Sequence, residues 1–205
     1  MVKLLGISGS PRKASTEYAV KEALGAAGAV GGVETAYLSL RGKKLNFCLH
    51  CDHCLRERGV CVHKDDMPGI MAAVSSADGL IVGSPVYEGS MSGQLKTMFD
   101  RMRPWYMLVP HPLPNKVGGA LAVGGDRHGG QETTVASILQ FMLIYEFIVV
   151  GGKFPNGNYG GTVWSRDIVP EGTSQDEEGL RTIRGLGRRV AEVAKLVVAA
   201  RAASS

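Results

Sequence analysis

Four thiols stand close together in this chain: Cys48, Cys51, Cys54 and Cys61 are all the cysteines it has. Successive x2 spacings let the first three wrap one cuboidal iron–sulfur cluster, and the fourth returns after a turn that Gly59 permits. In the bacterial ferredoxin run the fourth cysteine serves another cluster and is followed by proline. Here Val62 follows and no second set of cysteines exists, so all four would serve one site. Zinc competes for the window, because His50, His53 or His63 can replace a thiolate. Bare thiols, or a redox disulfide from one C-x2-C pair, are the plain alternative. A secreted disulfide framework fits poorly, since it would spread its cysteines to staple distant loops.

Three further segments carry ligand-binding residue types. The first reads Ser8-Gly9-Ser10-Pro11-Arg12-Lys13-Ala14-Ser15-Thr16 and runs into a helix. A helix start offers unpaired N–H donors and partial positive charge, so it attracts anions. Ser10, Ser15 and Thr16 add hydroxyls and Arg12 or Lys13 adds charge, a mix that suits a phosphomonoester dianion. The loop matches neither the Walker A pattern nor the G-x-G-x-x-G dinucleotide turn. The second segment is Gly83-Ser84-Pro85-Val86-Tyr87-Glu88-Gly89-Ser90, where Pro85 and Gly89 narrow the loop and Tyr87 offers a ring face. The third is Gly124-Gly125-Asp126-Arg127-His128-Gly129-Gly130-Gln131, whose glycines let main chain approach a flat ring. Taken singly these are a capped polar turn, a packing tyrosine and a solvated loop. Together they form a cradle for a phosphorylated planar cofactor.

The elements that must position these segments follow from hydrophobic pattern. Short apolar runs at Val2 to Ile7, Val33 to Leu38, Leu80 to Gly83, Lys116 to Gly124 and Phe147 to Val150 predict buried strands. Helices are expected over Ser15 to Ala29 with Ser15 or Thr16 as cap, from Asp65-Asp66 and Pro68 onward, and over Met91 to Arg103. Two more are expected over Gln131 to Tyr145 and Glu177 to Arg201, the last with an apolar stripe through Leu180, Ile183, Val190 and Val197. Gly151 to Gly172 reads as a Gly/Pro-rich loop. Five β-α repeats predict an α/β domain, a parallel sheet covered by helices on both faces, with ligands beyond the carboxyl ends of the strands. The three ligand-type loops follow strands one, three and four.

A hydrophobic share of 44% is enough to bury a sizeable core. The formal charge of +4 comes from basic residues interleaved with acids, so no nucleic-acid stripe is present. The longest apolar stretch, Val135 to Val150, is broken by Gln140 and Glu146 and is too short to span a bilayer. With no secretory signal visible, a cytoplasmic protein without membrane or nucleic-acid partners is expected.

The loops resemble those of the NAD(P)H-dependent FMN reductase family of flavodoxin-like proteins. The matching stretches are Gly9-Ser10-Pro11-Arg12-Lys13-x-Ser15-Thr16, then Ala77 through Tyr87, Met91-Ser92-x-x-Leu95-Lys96, Asp100-Arg101 and Gly129-Gly130-Gln131-Glu132. The cysteine window makes the chain most similar to the iron-sulfur flavoproteins of that family. The resemblance runs from Met1 to about Gly152 and is vague in the C-terminal helix.

It implies one flavodoxin-like three-layer domain over residues 1–205, with a five-stranded sheet of order 2-1-3-4-5 and a cysteine-rich insert at about 44–66. It implies FMN, with its phosphate on Ser10, Arg12, Ser15 and Thr16. The ring would lie between Pro85, Val86, Tyr87, Glu88 and Gly89 on one side and Gly125, Asp126, Arg127 and Gly130 on the other. A 4Fe–4S cluster on Cys48, Cys51, Cys54 and Cys61 is implied in the same way. So are NADH or NADPH as electron donor, a small or protein electron acceptor, and a homo-oligomer, dimer or tetramer. No catalytic acid or base is expected, because the hydride chemistry belongs to the cofactor. The family often carries Asn where Ser15 stands and an aromatic or small residue where Glu88 stands; Glu88 beside the ring would disfavour a negatively charged reduced flavin. A cluster-free flavin, quinone or azo reductase, and a flavodoxin-like shuttle that binds no nicotinamide, are the alternatives.

Overall fold

The computed structural model describes residues 1–155, 158–168 and 171–203. The sheet is built on β1 (Val2–Ser8), β2 (Val33–Ser39), β3 (Gly79–Tyr87) and β5 (Val117–Gly124), paired in parallel in the order β2-β1-β3-β5. β1 shows why these runs become strands. It sends Val2 and Leu4 to one face of the sheet and Leu5 and Ile7 to the other, and each set joins its own core. On the first face lie α1 (Ser15–Gly28) and α8 (Glu177–Ala203), and on the second α3 (Met67–Ser76), α4 (Gly93–Asp100) and α6 (Gln131–Ile144). The result is the expected three-layer flavodoxin-like α/β sandwich. α8 buries Leu180, Ile183, Leu186, Val190 and Ala194, as its stripe predicts. It packs so closely on α1 that a side chain at Gly187 would strike the Ala23 carbonyl.

The structure corrects several boundaries. The expected fifth strand is split. β6 (Ile148–Val149) pairs with Val117 and Gly118 at one end of β5, while β7 (Gly161–Trp164) pairs with Leu121 to Gly124 at the other. Between them the chain leaves the sheet edge in a loop closed by the Gly152 N–H donating to the Asn158 carbonyl at 2.9 Å. With the two-residue β4 (Ser90–Met91) on β3, the sheet has 7 strands among the described residues rather than five. In the segment read from sequence as loop, Gly151 to Gly172, β7 lies and α7 (Glu171–Ser174) begins; part of that segment falls outside the described residues.

The single helix expected over Met91 to Arg103 is also divided. Ser90–Met91 form β4, antiparallel to the end of β3. Ser92 then caps α4, its Oγ accepting from the Leu95 N–H at 3.2 Å, and α5 (Arg103–Leu108) begins afresh at a turn. At the start of α1 the cap position is held by Ala14, not Ser15 or Thr16, and no side chain caps it. α3 has its Pro in the first turn as expected, but Asp66 at the cap position makes no side-chain cap bond. Among the described residues no helix is long and apolar enough to cross a membrane.

Candidate functional site

The three ligand-type loops meet at the carboxyl edge of the sheet, tied by hydrogen bonds that cross between them. The Gly9 N–H donates to the Gly83 carbonyl at 2.8 Å, and the Ser92 hydroxyl donates to the Gly9 carbonyl at 2.6 Å. The Ser92 N–H donates to Ser84 Oγ at 2.9 Å. Farther along the edge the Thr133 hydroxyl donates to the Gly89 carbonyl at 2.8 Å. Gly130, at φ 104°, lies against Gly89 so closely that a Cβ there would press on its main chain.

In the first loop, Ser10, Ser15 and Thr16 are buried and Arg12 is exposed. Ser10 Oγ accepts from the Arg12 N–H at 3.1 Å, which closes a local turn in the loop. The buried Ser15 Oγ has no hydrogen-bond partner at all. Leaving a buried hydroxyl unpaired costs about 1–3 kcal/mol, and such a group in a native fold calls for an explanation. Here it stands in the first turn of a helix whose N-terminus no side chain caps. The positive end of the helix, its free N–H donors and an unused hydroxyl converge on one spot, the chemistry of an anion site.

In the second loop, Glu88 and Gly89 both have positive φ, 48° and 74°. They are the two turn residues of the β3–β4 hairpin, in which Tyr87 pairs with Ser90 and Val86 with Met91. Two-residue hairpins favour positive φ at both turn positions, so the turn itself explains the backbone of Glu88. Pro85 is buried, Val86 half-buried, and Tyr87 and Glu88 are exposed.

The third loop is braced rather than open. Gly125 faces the Asp167 carboxylate, not empty space. The buried Gln131 side chain spans the loop, its amide donating to the Asp126 carbonyl and its oxygen accepting from the Gly129 N–H. Asp126 is exposed. Arg127 stacks on the Trp164 ring at 4.5 Å, and Arg166 stacks on the same ring at 4.5 Å. Trp164 in turn donates its indole N–H to the Gly125 carbonyl at 2.6 Å. Sequence reasoning missed Trp164, and it named Gln131 only as the end of the third loop, without its bracing role. Gln131 had a usable signal, as an amide at a helix start after Gly130. Trp164 had none, because nothing local marked its segment as a strand.

The four cysteines are unpaired and line one small cavity, together with Asp52, Arg101 and Arg103. The insert that carries them is closed at its neck: the Lys44 N–H donates to Asp66 Oδ2 at 2.7 Å and the Asp66 N–H to the Lys44 carbonyl at 3.1 Å. Within it, α2 (His53–Arg56) is a single turn, and Gly59 at φ 100° reverses the chain toward Cys61. Arg103 reaches Asp52 at 2.6 Å, and Arg56 donates to the Cys51 carbonyl at 3.1 Å. His63 is held by the Phe47 carbonyl at 3.0 Å. Among the described residues no three His, Cys, Asp or Glu side chains are arranged to grip one metal ion. The donor set is four soft sulfurs around a common space, which suits a thiolate-held iron–sulfur centre.

Between this insert and the β3–β4 hairpin opens a cavity of about 500 Å³, with Cys48 and Met91 among its walls and the stacked rings of Phe99 and Phe141, 3.6 Å apart, beside them. It joins the neighbourhood of the cysteines to that of the ring loop.

Asp65, at the exit of the insert, is a carboxyl held well away from its ordinary value. Burial opposes its charge, but the Arg101 guanidinium and the N–H groups of Asn46 and Met67 outweigh burial and hold the carboxyl down at about 2, against 3.8 ordinarily. A depressed carboxyl stabilises the fold above its unfolded value, and that stability is lost as pH falls through the folded value. We therefore expect Asp65 to contribute roughly 2 kcal/mol at neutral pH that fades between about pH 4 and pH 2. Urea unfolding from pH 6 to pH 2.5 checks this: Asp65→Asn should flatten that part of the profile, and an unchanged profile would refute the assignment.

Residues 2–160 match the family described as NADPH-dependent FMN reductase. An iron-sulfur flavoprotein of Methanocaldococcus jannaschii is 47% identical over 194 residues, covering 95% of this chain and 98% of its own. A second iron-sulfur flavoprotein of that organism is 48% identical over 197 residues, covering 96% and 99%. Among solved structures, RosB with bound 8-demethyl-8-formylriboflavin-5′-phosphate superposes with a TM-score of 0.74 at 17% identity, covering 100% of this chain and 87% of that one. FerB, a flavoenzyme NAD(P)H:(acceptor) oxidoreductase from Paracoccus denitrificans, gives 0.65 at 16% identity, covering 96% and 98%. These two likenesses establish the fold, and the near-full-length matches establish descent: the chain belongs to the NADPH-dependent FMN reductase family, among its iron-sulfur flavoproteins.

Proposed function

We propose that this protein is an FMN oxidoreductase that takes electrons from NADH or NADPH and passes them on, through a 4Fe–4S cluster on Cys48, Cys51, Cys54 and Cys61, to a one-electron acceptor. The observation that carries the reading is the buried, unpartnered Ser15 Oγ at the uncapped start of α1, beside two other loops of the same sheet edge. A phosphate there would satisfy Ser15 and the free helix N–H groups together, and the family match supports FMN as its bearer. When bound, FMN accepts two electrons as hydride and can release them singly, which is what a cluster, taking one at a time, requires.

The side chains bind and orient. Ser10, Ser15, Thr16 and Arg12 hold the phosphate. Tyr87 and the Glu88-Gly89 turn form one wall for the ring, and the loop from Gly125 to Gly130, stiffened by Gln131 and Trp164, forms the other. The exposed Glu88 side chain is carried on the turn's tip, where water can screen its charge. The cysteines hold the cluster at the far side of the 500 Å³ cavity, which is large enough for a small acceptor.

Anaerobic addition of NADH or NADPH to FMN-loaded protein tests the donor. The flavin absorbance should bleach with at least one of them. If neither bleaches a flavin that dithionite still reduces, the protein is a shuttle fed by other proteins.

A further inference from the structure

One buried charge pair in the molecule is not explained by the flavin site. Arg101, just past the end of α4, has a side chain only 2% exposed, and its partner Asp65 is 1% exposed. The contact is a two-pronged fork: Nη1 to Oδ2 at 2.7 Å and Nη2 to Oδ1 at 3.1 Å. Nη1 also donates to the Asn46 carbonyl at 2.8 Å. The carboxylate accepts from the Asn46 N–H at 3.1 Å and the Met67 N–H at 3.2 Å. One guanidinium thus ties both the entry segment of the cysteine insert, at Asn46, and its exit, at Asp65, to the end of α4.

Its position gives it a second side. Arg101 lines the cavity shared by the four cysteines, while Asp65 backs it without lining that cavity. Burial works against the charge of Arg101, and Asp65 together with Cys61 and Cys48 sustains it. A buried ion pair is poor value for stability alone, since well-packed apolar residues do as well. A fixed cation facing thiolates has another use. Groups just outside a metal site set the orientation of its ligands and, through their charge, its reduction potential.

We propose that Arg101 is the positioning residue of the cysteine site, and that its guanidinium, anchored on Asp65, both fixes the insert and supplies the positive charge that the thiolate-held centre faces. The charge part rests on the cluster reading above; the anchoring part does not. Reduction adds a negative charge to a cluster, so a nearby cation favours the reduced form. Arg101→Gln removes that cation and leaves the Asp65 side negative, and the potential must fall. Asp65→Asn removes the opposing charge behind Arg101, and the potential must rise. Two members of one ion pair thus shift the same centre in opposite directions, which a merely structural role would not produce.

The test uses FMN-loaded protein prepared without air with iron and sulfide, and two readouts: the cluster midpoint potential, and amide hydrogen exchange over residues 44–66. At the wild-type midpoint the reduced-to-oxidised ratio should drop about tenfold in Arg101→Gln, which is about 59 mV for a one-electron couple, and move the other way in Asp65→Asn. Shifts in the same direction, or both within about twofold of wild type, overturn the charge assignment. If Arg101→Gln retains no iron, Arg101→Lys decides: it keeps the charge but loses the fork, so its potential should stay near wild type while exchange over 44–66 speeds up about tenfold and β1, β3 and β5 stay protected. Unchanged exchange over 44–66 overturns the anchor. Wild-type protein that takes up no iron would sink the cluster reading instead, and the exchange measurement on Arg101→Lys would still decide the anchor.

Discussion

Cys51→Ser should strip the anaerobically prepared protein of its cluster iron, to less than roughly a tenth of wild type, while FMN stays bound. Cys51 is the clearest choice because it is the exposed member of the four, so its replacement disturbs no packing. The same loss is expected at Cys48, Cys54 and Cys61. FMN should survive because the two sites hang on different supports. The phosphate loop is tied to the ends of β1 and β3 through Gly9, Gly83 and Ser92, whereas the insert is tied through Arg101 and Arg103 to the junction of α4 and α5. Iron and acid-labile sulfide assays beside flavin absorbance read both sites at once. Stoichiometric zinc with no iron or sulfide, after expression with ample iron, would rule the cluster out and make the insert a structural clip. Loss of FMN along with the iron would mean that the two sites fold as one unit.

Ser10→Ala combined with Thr16→Ala should weaken FMN binding by about 2–4 kcal/mol, roughly 30- to 1,000-fold, with charge-assisted bonds at ~1.5–3 kcal/mol each and incomplete additivity. Ser10 also accepts from the Arg12 N–H, so part of that loss is loosening of the loop. Ser15→Ala separates the two causes. Its hydroxyl has no partner within the protein, so removing it relieves a buried unsatisfied group. The FMN-free variant should be as stable as wild type or slightly more so, yet bind FMN about tenfold or more weakly. Titration calorimetry with FMN and thermal unfolding of the FMN-free protein are the two measurements. An undiminished affinity in Ser15→Ala would remove the phosphate from this loop, and FAD in place of FMN among the heat-released cofactor would remove the phosphomonoester from the argument.

The parts of this protein legible without a structure are those written over a few neighbouring residues. Apolar runs such as Val2 to Ile7 alternate between the two faces of a sheet whatever lies above them, so the strands and the three-layer order follow from pattern alone. Ligand-type loops can be placed because such sheets expose their strand ends, and the cysteine window declares itself by spacing. What escaped depends on partners far apart in the chain. The edge strand splits into β6 and β7 because a second segment, beyond a loop, returns to the free half of β5. Trp164 braces Gly125 from 39 residues away. Asp65 looks like a helix cap in the sequence, yet its main partner is Arg101, 36 residues on, and only the packing of α4 against the insert brings them together. Local spacing named the thiols and hydroxyls proposed to hold the cofactors; the ion pair beside the thiols and the backbone they rest on were decided by tertiary contact, because a desolvated ion pair forms only where the fold excludes water around both partners.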